Sequence, residues 1–252
     1  MKYSDFNFKI PKESSSYKRD SDLVLKNIKD IIDNRILSDK NKIILNTNLK
    51  LGLPIENINK IAGHIVEAWC FEVFNDIKEI NNKYNLINVE ANQRLDISDI
   101  ILQFKKNNTH ITGNIDVKAT SEDIDTSGKS PNITSFSRIR TAYIEDPDFM
   151  FIILSIKHKV YSQKNMKTLL IDSIMEIKSH NEYDLKFISD EDINYNPALG
   201  TGQIQIKDIH YVEYKYRTTW EFCQLLDKKY LDSSKKKIRD WFSEAKRHGW
   251  IK

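Results

Sequence analysis

A chain of 252 residues, 40% hydrophobic and 30% charged with 7 Gly and 5 Pro, has the composition of an ordered α/β protein with a sizeable core, not a disordered or fibrous one. No apolar run reaches the length of a membrane span, and the opening MKYSDFNFKIP lacks the apolar centre of a signal peptide. No membrane partner is therefore expected, and the distant pair Cys70 and Cys223 suits a reducing, cytoplasmic setting.

The net charge of +3 permits polyanion binding without announcing it. Basic residues nevertheless gather at Lys105 and Lys106, Arg138 and Arg140, Lys157 and Lys159, Lys215 and Arg217, and from Lys235 to Arg239. Acidic ones gather between Asp172 and Asp192.

In chain order, the first fifty residues are polar, and the spacing of Leu23, Val24, Ile28, Ile31 and Ile32 predicts a helix from about Asp22 to Arg35. In LGLPIENINKIAGHIVEAWCFEVFNDIKEIN, Pro54 suits a first helical turn, and Ile58, Ile61, Ile65, Trp69 and Val73 recur at three- and four-residue steps. That predicts a long core helix with Glu67 on its other side, where the plain role of such a residue is a solvated face. Strands are expected over Leu86–Val89, Ile97–Phe104 and Ile111–Val117, the last two joined by a hairpin loop at Lys105–Asn108. A polar loop, TSEDIDTSGKSPN, runs from Thr120 to Asn132. A helix from Thr134 to Ile144 and a continuous apolar strand from Phe149 to Ile156 follow. Residues Asp172 to Ile193 give only a weak signal, and NPALGTGQIQI precedes two helices, around Thr219–Tyr230 and Ser233–Lys246. Helices alternating with buried strands predict a single α/β domain with a mixed central sheet flanked by helices. The six histidines show no metal spacing, and Trp69, Trp220, Trp241 and Trp250 are expected to pack into the core.

Two of these strands carry charge where a core would be apolar. SDIILQF opens on Asp99, and GNIDVKAT contains Asp116 and Lys118. Alternation puts Asp116 and Lys118 on one face and turns Val117 into the other layer. The hairpin lays the strand of Asp99 beside that of Asp116, with cross-strand neighbours about 5 Å apart. Two carboxylates that close repel each other unless a cation lies between them. Oxygen-only ligands with open positions suit Mg²⁺, and a neighbouring ammonium can hold a water and offset charge at phosphorus. This is chemistry for phosphodiester hydrolysis. A lone Asp-X-Lys is commonly a surface ion pair; the preceding Asp, the short hairpin and the strand-end position together raise the catalytic reading to an equal footing with that one.

The pattern Asp99…Asp116-Val117-Lys118 resembles the PD-(D/E)xK nuclease signature, with Ser98 where that family often has Pro. GNIDVKATSEDIDTSGKSPNITSFSRIRTAYI, NPALGTGQIQIKDIHYV and MKYSDFNFKIP are similar to the HpaI family of type II restriction endonucleases, a similarity that runs to the closing EAKRHGWIK. More distantly, SPN and GQIQI resemble HincII, and the order of parts resembles EcoRV.

The resemblance implies a PD-(D/E)xK core and a Mg²⁺-dependent homodimer that cuts double-stranded DNA at a short palindrome, GTTAAC, leaving blunt ends. It makes Asp99 and Asp116 the metal ligands and Lys118 the catalytic lysine, and it matches Glu67 to an acidic helix residue of less direct role. A catalytic core of about 54–160 and a recognition part of about 190–252 follow from it. SGKSPN (Ser127–Asn132) would lie against DNA through Lys129, Ser130 and Asn132, joined by Arg94 and Arg138, although the same residues make an ordinary turn. NPALGTGQ would read bases through Asn196, Ala198, Gly200, Thr201, Gly202 and Gln203, its glycines letting amides approach base edges. GTGQ lacks the Lys-Ser/Thr ending of a P-loop, so no nucleotide cofactor is expected. The rival readings are a repair nickase or junction resolvase on the same core, and a DNA-binding protein that has lost hydrolysis.

Overall fold

A computed structural model describes residues 2–80, 83–93, 96–198, 202–233 and 237–252. Among them, helix α1 (Tyr17–Leu37) is followed by strand β1 (Lys42–Leu45) and helix α2 (Ile55–Ile80). Strands β2 (Leu86–Ala91), β3 (Ile100–Lys106), β4 (Thr109–Ser121) and β5 (Asn132–Ser135) lead to α3 (Phe136–Glu145). Then come β6 (Phe151–Lys164), β7 (Ile171–Asp184), β8 (Ile193–Asn196), β9 (Gln203–Ile206), α4 (Thr219–Leu231) and α5 (Ile238–Arg247). The result is the expected mixed α/β domain. Its main sheet has the order β1-β7-β6-β4-β3-β2, and a second sheet runs β5-β9-β8.

Only β4 and β6 pair in parallel in the main sheet, which requires a crossover, and α3 supplies it. These two strands are the centre of the sheet. Phe151 to Ile156 is buried at every position, because helices cover both faces there and alternation has no solvent side to report. The β3–β4 connection is a two-residue hairpin at Asn107 and Asn108, and Asn107 takes φ 54°, which asparagine tolerates better than most residues.

The core stripe of α2 is Ile58, Ala62, Val66, Trp69, Cys70, Val73 and Phe74. Ile61 was expected in it but is 49% exposed. Ala62 and Val66 are buried in place of Ile61 and Ile65, while Ile58, Trp69 and Val73 are buried as expected. β7 was not foreseen as a strand, and its polar residues explain why. Asp184, fully buried, accepts hydrogen bonds from Ser21 Oγ at 2.7 Å and from the Lys186 amide at 2.9 Å. Partners supplied from outside the strand make those positions tolerable in a core.

Arg140, one of the clustered basic residues, belongs to no basic surface. It is fully buried in a two-pronged pair with Asp227, at 2.6 and 2.7 Å. Asp227 also accepts from Tyr3 Oη at 2.6 Å and Trp241 Nε1 at 2.8 Å, so one carboxylate ties α3, α4 and α5 to the N-terminal segment. Trp69, Trp241 and Trp250 are buried and Trp220 half-buried. No helix among the described residues is long and apolar enough to cross a membrane.

Candidate active site

Strand register brings the three signature residues together. Ile100 faces Ile115, and the Asp99 amide donates to the Ile115 carbonyl at 2.9 Å, so Asp99 stands opposite Asp116 just ahead of β3. Asp99 Oδ2 accepts from the Val117 amide at 2.7 Å, which fixes that carboxylate against β4. Asp116 and Lys118 share a face, and the Lys118 ammonium sits 2.8 Å from Asp116 Oδ2. That contact is an ion pair without hydrogen-bond alignment, and it leaves the buried oxygen without a directed donor.

Electrostatics follow from burial. With 5% of its surface exposed, Asp116 has its carboxyl pushed up to about 7. Desolvation is the main cause; the Lys118 charge opposes it, and Asp99 and Glu67 add to it. Burial alone would lower the Lys118 ammonium, yet Asp116, Asp99 and Glu67 together hold it above the ordinary lysine value. Lys118 is therefore a cation at neutral pH, held among three carboxylates. Glu67 projects from α2 toward this cluster, half-buried, with Gly63 a turn before it and His64 Nδ1 3.4 Å from its Oε2. An open cleft of about 510 Å³, lined by Glu67 and Asp99 with Asn92 and Gln93, runs beside the pair.

The donor set fits a hard divalent cation. It consists of carboxylate oxygens, one of them buried and lacking a directed donor, with more negative charge than Lys118 alone offsets. No cluster of three or more His, Cys, Asp or Glu among the described residues is placed to enclose a metal. Two aspartates would leave the other positions to water and phosphate, as such cations prefer.

The two expected DNA-facing segments, far apart in sequence, meet on the small sheet. Asn132 pairs with Gln205, Ser135 with Gln203, and Gln203 in turn with Asn196. Asn196 Nδ2 donates to Asn132 Oδ1 at 3.4 Å, and Gln205 Nε2 donates to the Ser130 carbonyl at 3.1 Å. Asn196 also accepts from the Ala198 amide at 3.0 Å, starting the turn. Lys129 is ion-paired with Asp208, and Arg138 donates to the Asp96 carbonyl at 3.2 Å, next to the active-site strand. Gly202 has φ +90°, and a Cβ there would lie 2.0 Å from the Tyr195 hydroxyl. The tyrosine, packed on Phe136 and Tyr230, enforces that glycine. Arg94, Gly200 and Thr201 lie outside the described residues.

Sequence reading missed Gln205 and Asp208, which hold this loop in place. The alternation in QIQI was the available signal: Ile204 and Ile206 are fully buried, so both glutamines point away from the core.

A family model described as type II restriction endonuclease HpaI matches residues 4–249. The type II restriction enzyme HpaI of Haemophilus parainfluenzae is 63% identical over 253 aligned positions, which span the whole of both chains. Facing aspartates with a lysine on the same strand face, in a chain matched almost from end to end, lead to one conclusion: this chain belongs to the HpaI family of type II restriction endonucleases and is a site-specific deoxyribonuclease.

Proposed function

We propose that the enzyme is a cytoplasmic, Mg²⁺-dependent homodimer that cuts double-stranded DNA at GTTAAC and leaves blunt ends. The observation that carries the chemistry is the placement of Asp99 opposite Asp116 with Lys118 on the Asp116 carboxylate. Asp99 and Asp116 would hold the cation. When bound, such a cation places positive charge on phosphate oxygen and acidifies a water. Lys118, protonated, donates toward the attacking water or a phosphate oxygen and offsets the charge developing at phosphorus. The Val117 amide keeps Asp99 aimed at the shared position. Glu67, a turn beyond Gly63 on α2, adds negative charge from the flank and has the less direct role.

Residues of about 54–160 carry this chemistry, and those of about 190–252 read the sequence. Lys129, Ser130, Asn132 and Arg138 would contact DNA beside the cut. Asn196, Ala198, Gly202 and Gln203 would face base edges with Gly200 and Thr201, and Arg94 lies in the segment leading to Asp99. Support for the hexamer and the blunt cut comes from the family resemblance of the two loop segments, now seen on one sheet.

Digestion of a plasmid of known sequence with Mg²⁺, followed by sequencing of the fragment ends, tests the proposal. Blunt ends at GTTAAC are expected. Staggered ends would overturn the cut geometry, another hexamer would overturn the loop assignment, and cleavage unaffected by a chelator would overturn the metal requirement.

A further inference from the structure

Asp99 stands one residue ahead of β3 and borders the open cleft, where hydrogen bonds, more than packing, set the direction of the chain. On one side β4 holds it, through the Asp99 amide and the Val117 amide. On the other side stands Asn92, the first residue past β2. The last regular pair of β2 with β3 is Ala91 with Ile100, and Asn92 carries the pairing one step further. Its amide donates to the Asp99 carbonyl at 2.8 Å, and its side-chain Nδ2 donates to Ser98 Oγ at 3.0 Å. Ser98 is buried, so that hydroxyl has little water to turn to instead.

Position 98 is where the nuclease signature often has Pro. A proline ring would fix φ near about −65° and would donate no hydrogen bond. Serine leaves φ free, and rotation there swings the chain that leads into Asp99. The Ser98 amide donates to nothing among the described residues, so the backbone at this position adds no restraint of its own. The turn before it is closed on itself. The Gln93 amide donates to Asp96 Oδ2 at 2.7 Å, and the Asp96 amide to the Gln93 carbonyl at 2.9 Å. Between that closed turn and Asp99, the tie from Asn92 to Ser98 is the brace.

We propose that Asn92 is a positioning residue for the cleavage reaction: by holding Ser98 it replaces the restraint of a proline ring and keeps the Asp99 carboxylate in line with Asp116. This rests on the reading of Asp99 as a cation ligand. The Asn92 side chain acts through Ser98 and touches no reacting atom. A reacting group displaced by about 1 Å can cost on the order of a hundredfold in rate. Alanine at position 92 keeps the backbone bond to the Asp99 carbonyl and loses only the side-chain tie. The effect therefore falls on the rate of the bound complex and on the hold of the ion, and leaves the grip on DNA intact.

Single-turnover cleavage of a duplex carrying the site that the enzyme cuts, at saturating Mg²⁺, reads the outcome. Asn92→Ala lowers the rate at saturating enzyme at least tenfold and leaves the half-saturating enzyme concentration within twofold. Ser98→Ala does the same, and the double variant is no slower than either alone, because both remove one bond. In a Ser98→Pro background Asn92→Ala costs less than threefold, since the ring now sets φ. Ca²⁺ gives a readout apart from cleavage. The Ca²⁺ concentration that half-completes its effect on duplex affinity rises at least fivefold in Asn92→Ala, while affinity without the ion is unchanged. An Asn92→Ala enzyme within threefold of the normal rate, beside an inactive Asp99→Ala, overturns the inference alone. A loss that persists in full in the Ser98→Pro background, or that multiplies with Ser98→Ala, also overturns it, because Asn92 would then touch DNA or the ion directly. An Asp99→Ala enzyme that still cuts overturns the role of Asp99, and this inference with it.

Discussion

At the scale of single residues, the reactive arrangement depends on a few hydrogen bonds and one buried charge pair. Asp116→Ala and Lys118→Ala should each lower single-turnover cleavage by at least a thousandfold. Specific DNA binding should survive with Ca²⁺ in place of Mg²⁺, since Ca²⁺ accepts the same oxygen ligands with looser geometry. Glu67→Ala should lose less. A variant of Asp116 or Lys118 retaining a tenth of the normal rate would remove that residue from the mechanism. Gln203→Ala should cost about 1–3 kcal/mol of discrimination per lost base contact. That would appear as cleavage at related hexamers with hydrolysis preserved; unchanged selectivity would show that Gln203 reads no base. Asp99, Asp116 and Lys118 were legible in sequence because strand alternation and a tight hairpin are local properties. The need for glycine at 202 was not, because Tyr195 causes it and the strand pairing that brings them together is not written locally.

At the scale of elements, α2, the β3–β4 hairpin, α3 and β6 were readable from periodicity. β7 was not, since its buried polar side chains are satisfied by residues distant in sequence. His180 is one of them: its Nε2 lies 3.0 Å from Asp33 on α1, and its Nδ1 2.9 Å from Glu182. Burial pulls the imidazole down, but these two carboxylates outweigh it and hold the group above the ordinary histidine value. A raised folded-state pKa means that the stabilisation is fully present below the unfolded value, about 6.5, and fades as pH rises through the folded one. His180→Gln should therefore cost roughly 1 kcal/mol near pH 6, a figure reduced for the exposed Asp33, and much less near pH 9. Urea unfolding at both pH values measures this, and an equal loss at the two would show that charge at His180 does not support the contact.

At the scale of the whole molecule, the order of helices and strands gave the fold class, while the long-range ties stayed hidden. Arg140 read as one more basic residue until the structure placed it against Asp227, 87 positions away. Removing one partner leaves a buried charge alone, which typically costs about 3–5 kcal/mol. Asp227→Ala should lose about that much in denaturant unfolding, and looser packing of the N-terminal segment should show as faster proteolysis there. A loss below 1 kcal/mol would mean that water reaches Arg140 and that the tie is dispensable.

The hydrogen bond from the Val117 amide to Asp99 has a second effect. An aspartate side chain occupies the place where a neighbouring strand would offer a carbonyl, so the Asp99 carboxylate also serves as a rung of the sheet. Heat tolerance and turnover can then be separated at a single atom. Asp99→Asn keeps an acceptor for the amide, so it should melt near the normal temperature yet cut no DNA. Asp99→Ala should be equally inactive and also melt lower, because an unpaired buried amide costs about 1–3 kcal/mol, which is on the order of 2–10 °C for a chain this size.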